Sequence, residues 1–220
     1  MKKTVLIVIR VICIVGFLVC AGVLGWYWHS DRSDRAVAEA LAAAHDAASA
    51  AAIEQVRAVA ADNADTIGWL RIDGTNINNV VMFAPGTPGK YLHMDFYGKW
   101  SYRGTLYVAE NCDVRTADNI LIYGHHMKDG SMFSNLKQYQ DSVFRKNSGS
   151  AYLYLTEKTL HLEITECEKV SMRDDIYALE DDVSCDWPEE IILSTCSSSS
   201  DTRLILRCKV TKIQHLTNIK

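Results

Sequence analysis

The chain has 220 residues, 48% of them hydrophobic, which suits one ordinary globular domain with a real core plus an appendage. Its formal net charge is −4, and no basic stripe interleaved with aromatics occurs in it, which argues against a nucleic-acid partner. Its seven cysteines form no CxxC pair and are too scattered for a structural zinc site.

From Val5 to Trp28 the sequence is almost wholly apolar, broken only by Arg10, and long enough to cross a bilayer as a helix. Lys2, Lys3 and Arg10 lie at its start, and Trp26, Tyr27 and Trp28 form an aromatic edge at its end. The positive-inside rule then puts the N-terminus in the cytoplasm and everything after His29 outside. A cleaved secretory signal would share the charged start, the apolar run and small residues such as Ala21-Gly22. The run, however, continues past Gly22 into bulky aromatics, and Val19 is larger than the residue normally required before a lipidated cysteine at Cys20. The expectation is a single-pass anchor over residues 1–30, an Ala-rich juxtamembrane segment over 31–64 and the main domain over 65–220.

Residues 36–61 hold Val37, Leu41, Ala44, Ala48, Ile53, Val56 and Ala60 at helical spacings, without Gly or Pro, and predict a helix or two. The narrow stripe of small side chains suits packing against the main domain or spacing it from the membrane, not a free coiled coil. After Asp65 short apolar runs alternate with Gly, Asn and Asp. They predict strands at Ile67–Ile72, Ile77–Phe83, Thr105–Ala109, Ile120–Tyr123, Ala151–Thr156, Leu160–Thr165, Ile191–Cys196 and Arg203–Lys212. Eight short strands suggest a mainly β fold closed into a barrel, which removes exposed edges. Short helices are expected at Tyr91–Phe96 and Met132–Gln140. In the last run Leu204, Leu206, Cys208 and Val210 share one face and Arg203, Ile205, Arg207 and Lys209 the other, so Cys208 reads as core. Residues 168–190 carry nine acids against Lys169 and Arg173 and read as a long connection, either solvated or walling a substrate groove.

Outside the apolar span lie Cys112, Cys167, Cys185, Cys196 and Cys208, an odd number, so at least one thiol is free or pairs with another chain. Cys167 and Cys185, flanking the acidic connection, are the expected bridge. Cys196 ends the run Leu193-Ser194-Thr195, Arg203 opens the next run, and Ile120-Leu121-Ile122-Tyr123-Gly124 ends on His125. Nucleophile, proton carrier and oxyanion donor are thus offered at three strand ends. His126 competes with His125, but adjacent residues of an extended run face opposite ways. Arg207, on the same strand face, is the rival of Arg203. His29, His45, His93, His161 and His215 read as solvated or structural, and Ser197–Ser200 as a flexible turn.

Asp65-Thr66-Ile67-Gly68-Trp69-Leu70, Gly74-Thr75-Asn76-Ile77, the stretch Tyr123-Gly124-His125-His126-Met127-Lys128-Asp129-Gly130-Ser131-Met132-Phe133, and Leu193-Ser194-Thr195-Cys196 with Arg203 together resemble the sortases, most closely class B. The similarity spans roughly Asp65 to Lys212 with the motif order preserved. It implies an eight-stranded sortase barrel with short helices, an N-terminal helical extension and a membrane anchor. It also implies that Cys196 is the nucleophile, His125 the acid and base, and Arg203 the oxyanion partner, with Tyr123, Ser194 and Thr195 lining the substrate. Class B sortases usually carry a long helix before the cysteine strand, where this chain has only its acidic segment 168–190.

The resemblance implies transfer of secreted proteins, cut at a C-terminal sorting signal, to an amine of the cell wall or of a pilin subunit. No cofactor or metal is required; calcium could meet acidic loops such as 174–182, but there is no loop of EF-hand type. Two rival readings stand beside it: a thiol hydrolase releasing its substrate to water, and a non-enzymatic membrane-tethered barrel in which Cys196 is structural.

Overall fold

The computed structural model describes residues 2–45, 52–110, 112, 117–173, 188–196 and 201–215. The first helix, α1, runs unbroken over Lys2–His45, so the apolar span and half of the Ala-rich segment share one axis. The part Ile12–Val37 is long and apolar enough to cross a membrane. A second helix, α2 (Ala52–Asp62), follows. Its Ala52 and Val56 pack on Trp69, Val80, Met82 and Tyr154. The small stripe of the helix therefore covers the outside of the barrel.

Eight strands close that barrel. They are β1 (Thr66–Ile72), β2 (Asn78–Met82), β3 (Leu106–Val108), β4 (Asn119–Tyr123), β5 (Ser150–Leu155), β6 (Lys158–Ser171), β7 (Glu190–Cys196) and β8 (Thr202–His215). Their order around the barrel is β1-β2-β3-β4-β7-β8-β6-β5. Ile120, Leu121 and Ile122 of β4 and Ile191, Ile192 and Leu193 of β7 are all buried, as continuous apolar runs demand when both faces of a strand are covered.

Two pairings are parallel, β2 with β3 and β4 with β7. A parallel neighbour needs a long crossover. The first carries the 3-10 helix Lys90–His93, and the second begins with the 3-10 helix Phe133–Gln140 and α3 (Ser142–Asn147). The two helices expected from sequence are thus 3-10 segments, and α3 is an addition. Its start is set by the Asp141 carboxylate, which accepts from the backbone N–H of Val143 at 2.7 Å and Phe144 at 3.3 Å.

The strand β6 is much longer than the alternation suggests. It pairs with β8 from Lys158↔His215 to Ser171↔Thr202, so Glu168 to Ser171 belong to the ladder and not to a loop. Their charges made them look solvated, yet Val170 is buried between exposed neighbours, the ordinary period of a strand. The rest of the acidic connection, 174–187, lies outside the described residues. So does Cys185, but Cys167 is a free thiol, which removes the expected bridge. Burial pushes the Cys167 thiol up to about 11. Cys208 is fully buried, as its strand phase requires.

Candidate active site

The parallel pair β4 and β7 sets the site. Tyr123 lies opposite Ser194, and the Gly124 N–H donates to the Ser194 carbonyl at 3.1 Å. His125 and Cys196 are each the second residue beyond that last pair. On the other side of β7, Cys196 lies opposite Arg203 of β8. Backbone register alone therefore gathers the three strand ends. For Cys196 the described part is the backbone.

A cleft of about 350 Å³ opens at these ends, lined by Tyr107, Tyr123, His125, Ser194, Thr195 and Arg203, with Leu92 and Met172 at its rim. The five site residues other than Cys196 that the sequence singles out, Tyr123, His125, Ser194, Thr195 and Arg203, thus border one space. Ser194 and Thr195 are 1% and 2% exposed, with this cleft beside them. The Thr195 hydroxyl has no hydrogen-bond partner among the described residues.

His125 is held from several sides. Its Nε2 lies 2.8 Å from the Leu92 carbonyl, which can only accept, so Nε2 carries a proton and the neutral ring keeps its lone pair on Nδ1. Its own carbonyl accepts from Phe133 N–H at 3.0 Å. The preceding Gly124 cannot be larger: a Cβ there would stand 2.5 Å from Leu106 Cδ2 and 2.6 Å from Phe133 Cδ2. At the end of the same loop Met132 is buried with φ of 53°, a left-handed conformation costly for a side chain. Burial lowers the His125 pKa below the ordinary imidazole value; the Leu92 carbonyl opposes this and neighbouring His93 adds to it. His126, next along, is exposed and pairs its backbone with Met132, so the two histidines part as strand phase predicts.

The sequence gives no hint of His93, whose ring stacks on that of His125 at 5.4 Å. Nor does it hint at Arg103, a 4%-exposed guanidinium that bonds Ser131, Asp129 at 3.0 Å and Asp31 of α1 at 2.6 Å. Both come from the β2–β3 crossover. Burial pushes the Asp129 carboxyl up, but hydrogen bonds from the Ser131 N–H and hydroxyl and the charge of Arg103 outweigh it and hold the group at about 2. Arg35 reaches the same carboxylate at 2.8 Å. The loop from His125 to Met132 is thereby tied to α1.

Arg203 and Arg207 have different surroundings. Arg207 binds Glu190 at 2.7 Å and Glu168 at 3.4 Å and takes no part in the cleft lining. Arg203 borders the cleft with His125. No group of three or more metal-ligating side chains occurs among the described residues.

Comparison with known proteins bears on this arrangement. Residues 70–211 match the family model of the sortase domain. Sortase B of Listeria monocytogenes serovar 1/2a is 35% identical over 83 residues, 37% of this chain and 33% of that protein. Sortase B of Staphylococcus aureus strain NCTC 8325 is 30% identical over 83 residues, 37% of this chain and 34% of that protein. The matched stretch therefore spans about a third of the length of these curated relatives. In fold the chain is similar to a mutant form of Clostridium perfringens sortase B, with a TM-score of 0.69 at 20% identity over 79% of this chain and 96% of that one. It is also similar to the Staphylococcus aureus sortase B–substrate complex, with a TM-score of 0.68 at 20% identity over 86% of this chain and 100% of that one. The barrel, its strand order and the family match over most of its length place this chain in the sortase family, with a likeness to class B.

Proposed function

We propose that the chain is a membrane-anchored cysteine transpeptidase in which Cys196 is the nucleophile, His125 the proton carrier and Arg203 the oxyanion partner. The observation that carries this reading is the register that brings the ends of β4, β7 and β8 to one cleft. The thiolate attacks the scissile carbonyl carbon of a sorting signal, forming a C–S bond and a tetrahedral oxyanion. The Arg203 guanidinium stabilises that charge. His125 as imidazolium gives its proton to the leaving amine as the C–N bond breaks, leaving a thioester. As imidazole it then takes a proton from the incoming amine, which displaces the thiol.

Tyr123, Ser194 and Thr195 are proposed to line the bound peptide. A buried hydroxyl without a partner costs about 1–3 kcal/mol, and Thr195 would recover this by bonding a peptide carbonyl or N–H. At reference pKa values about 3% of a cysteine is thiolate and about a quarter of a histidine is imidazolium at pH 7. Burial of His125 reduces its charged fraction further, so the site suits a slow, selective enzyme unless substrate binding shifts the pair.

The substrates proposed are secreted proteins with a C-terminal sorting signal, and the acceptor an amine of a cell-wall precursor or a pilin subunit. Residues 1–30 serve as anchor with the N-terminus in the cytoplasm, 31–64 as the juxtamembrane segment and 65–220 as the catalytic domain outside. The apolar helix Ile12–Val37 and the basic residues before it support that arrangement. The test is product analysis on a labelled signal peptide with and without added amine, for wild type and Cys196→Ala. Amine-dependent ligation that Cys196→Ala abolishes supports the transpeptidase; release to water alone favours the hydrolase, and turnover in Cys196→Ala rejects the thiol mechanism.

A further inference from the structure

Beyond Leu92 at the rim of the cleft, the β2–β3 crossover carries an aromatic patch that the reaction does not use. Tyr97 is 60% exposed, Trp100 49% and Tyr102 55%, with Leu92 beside them at 39%. They stand on a rigid turn, not a loose loop. The Asp95 carboxylate accepts from the N–H groups of Tyr97 and Lys99, and the backbone of Met94 pairs with Trp100.

The patch is continuous with the aromatic edge of α1. Trp26 stacks on Trp100 at 5.5 Å with the planes 25° apart, and Tyr27 meets Tyr102 edge-on at 6.4 Å. From Val5 to Trp28 a helix rises about 36 Å, more than the ~30 Å hydrocarbon core, so its terminal Trp and Tyr belong in the headgroup layer. A ring stacked on Trp26 lies at the same depth. We propose that the barrel rim 92–102 rests in the interfacial headgroup layer of the bilayer that α1 crosses, as a second membrane contact made by the catalytic domain itself.

Apolar ring bodies with polar N–H and O–H tips are the chemistry that layer accepts, and exposed Lys99 faces phospholipid phosphate at little cost. The charged contacts of Arg103 with Asp31 and of Arg35 with Asp129 then fix the barrel against the helix just above this level. The consequence for the cleft is direct. Trp100 stacks on His93 at 6.4 Å and His93 on His125 at 5.4 Å, so the proposed proton carrier stands a short file of rings from the lipid. A peptide bond is then cut close to the membrane surface.

The inference rests on the reading of α1 as an anchor, and the experiment separates the two. Full-length protein is placed in phosphatidylglycerol–phosphatidylethanolamine nanodiscs, with lipids brominated near the glycerol end of the acyl chain as one quencher and aqueous iodide as the other. The emission of Trp100 is taken as wild type minus Trp100→Phe, and that of the anchor edge as wild type minus Trp28→Phe. A Trp introduced by Tyr97→Trp in the Trp100→Phe background reports independently of the Trp26 stack. At least half of the Trp100 and position-97 emission should be lost to bromolipid, with iodide ineffective. Quenching by iodide and not by bromolipid at both positions, with Trp28 still quenched by bromolipid, overturns the rim contact alone. Loss of bromolipid quenching at Trp28 as well overturns the anchor and the rim together.

Discussion

The rings of His93 and His125 stack at 5.4 Å with their planes 30° apart, two histidines from different crossovers meeting over the cleft. A protonated His93 repels a proton on His125, which acts with burial to lower its pKa. His93→Gln removes the charge, so the His125 midpoint should rise toward the ordinary value near 6.5. Titration of the ring carbons by NMR reads this; a midpoint that stays or falls means that burial alone sets it. The sign for stability follows. Because the folded protein binds fewer protons at His125 than the unfolded chain, the contribution is complete above about pH 6.5 and declines as the pH falls below it.

How much of this was legible in the sequence depends on where a residue sits in the topology. His125, Cys196 and Arg203 terminate or open apolar runs, so strand ends could be read directly. Leu92 reaches His125 across 33 positions, and Asp31 reaches Arg103 across 72. Those contacts exist because a parallel pair obliges the β2–β3 connection to cross over the cleft, and no local pattern announces where a crossover lands. The extension of β6 was hidden for a different reason. Glu166 and Glu168 point outward and carry charge, which mimics a solvated loop, while the partners that make them a strand, Arg207 and Ile205, are 37 or more residues away in β8. Periodicity reports burial of one face; it does not report a ladder whose other face is wet.

The cluster Asp31–Arg103–Asp129 predicts an acid-sensitive dock. Asp129 is held at about 2 in the folded protein and returns to about 4 when unfolded, so its stabilisation is present above pH 4 and is lost as the pH falls from about 4 to about 2. Asp129→Asn should flatten the stability curve in that window. Arg103→Ala, which strips a 4%-exposed guanidinium from two carboxylates, should cost about 3 kcal/mol in urea unfolding. A cost below about 1 kcal/mol would mean that the cluster is no better than a surface ion pair.

Thiol labelling distinguishes the cysteines without any substrate. Cys208 is fully buried with its thiol pushed up, Cys167 is pushed up to about 11, and Cys112 is buried with its sulfur 3.1 Å from the Asn119 carbonyl. None of the three should react with iodoacetamide at pH 7 in the folded protein. Peptide mass spectrometry should find Cys196 modified first among the cysteines beyond α1, and His125→Ala should slow it. Preferential labelling of Cys112, Cys167 or Cys208 would count against Cys196 as the nucleophile.

The two arginines of β8 give the sharpest contrast. Arg203 borders the cleft opposite Cys196 in the ladder, whereas Arg207 is engaged by Glu190 and Glu168. Lysine keeps the charge but loses the planar fork of donors that can meet an oxyanion and a substrate carbonyl together. Arg203→Lys should therefore lower kcat by roughly 10²-fold or more, on the scale of a lost oxyanion donor, with little change in melting temperature. Arg207→Lys should leave kcat near wild type and shift stability by less than about 1 kcal/mol, because its ion pairs are partly exposed and a lysine still reaches one of the glutamates. Steady-state kinetics of both variants on the signal peptide, with thermal melts alongside, measures each effect separately. An intact kcat in Arg203→Lys together with a loss in Arg207→Lys would move the oxyanion role to Arg207, and with it the position of the scissile bond along β8.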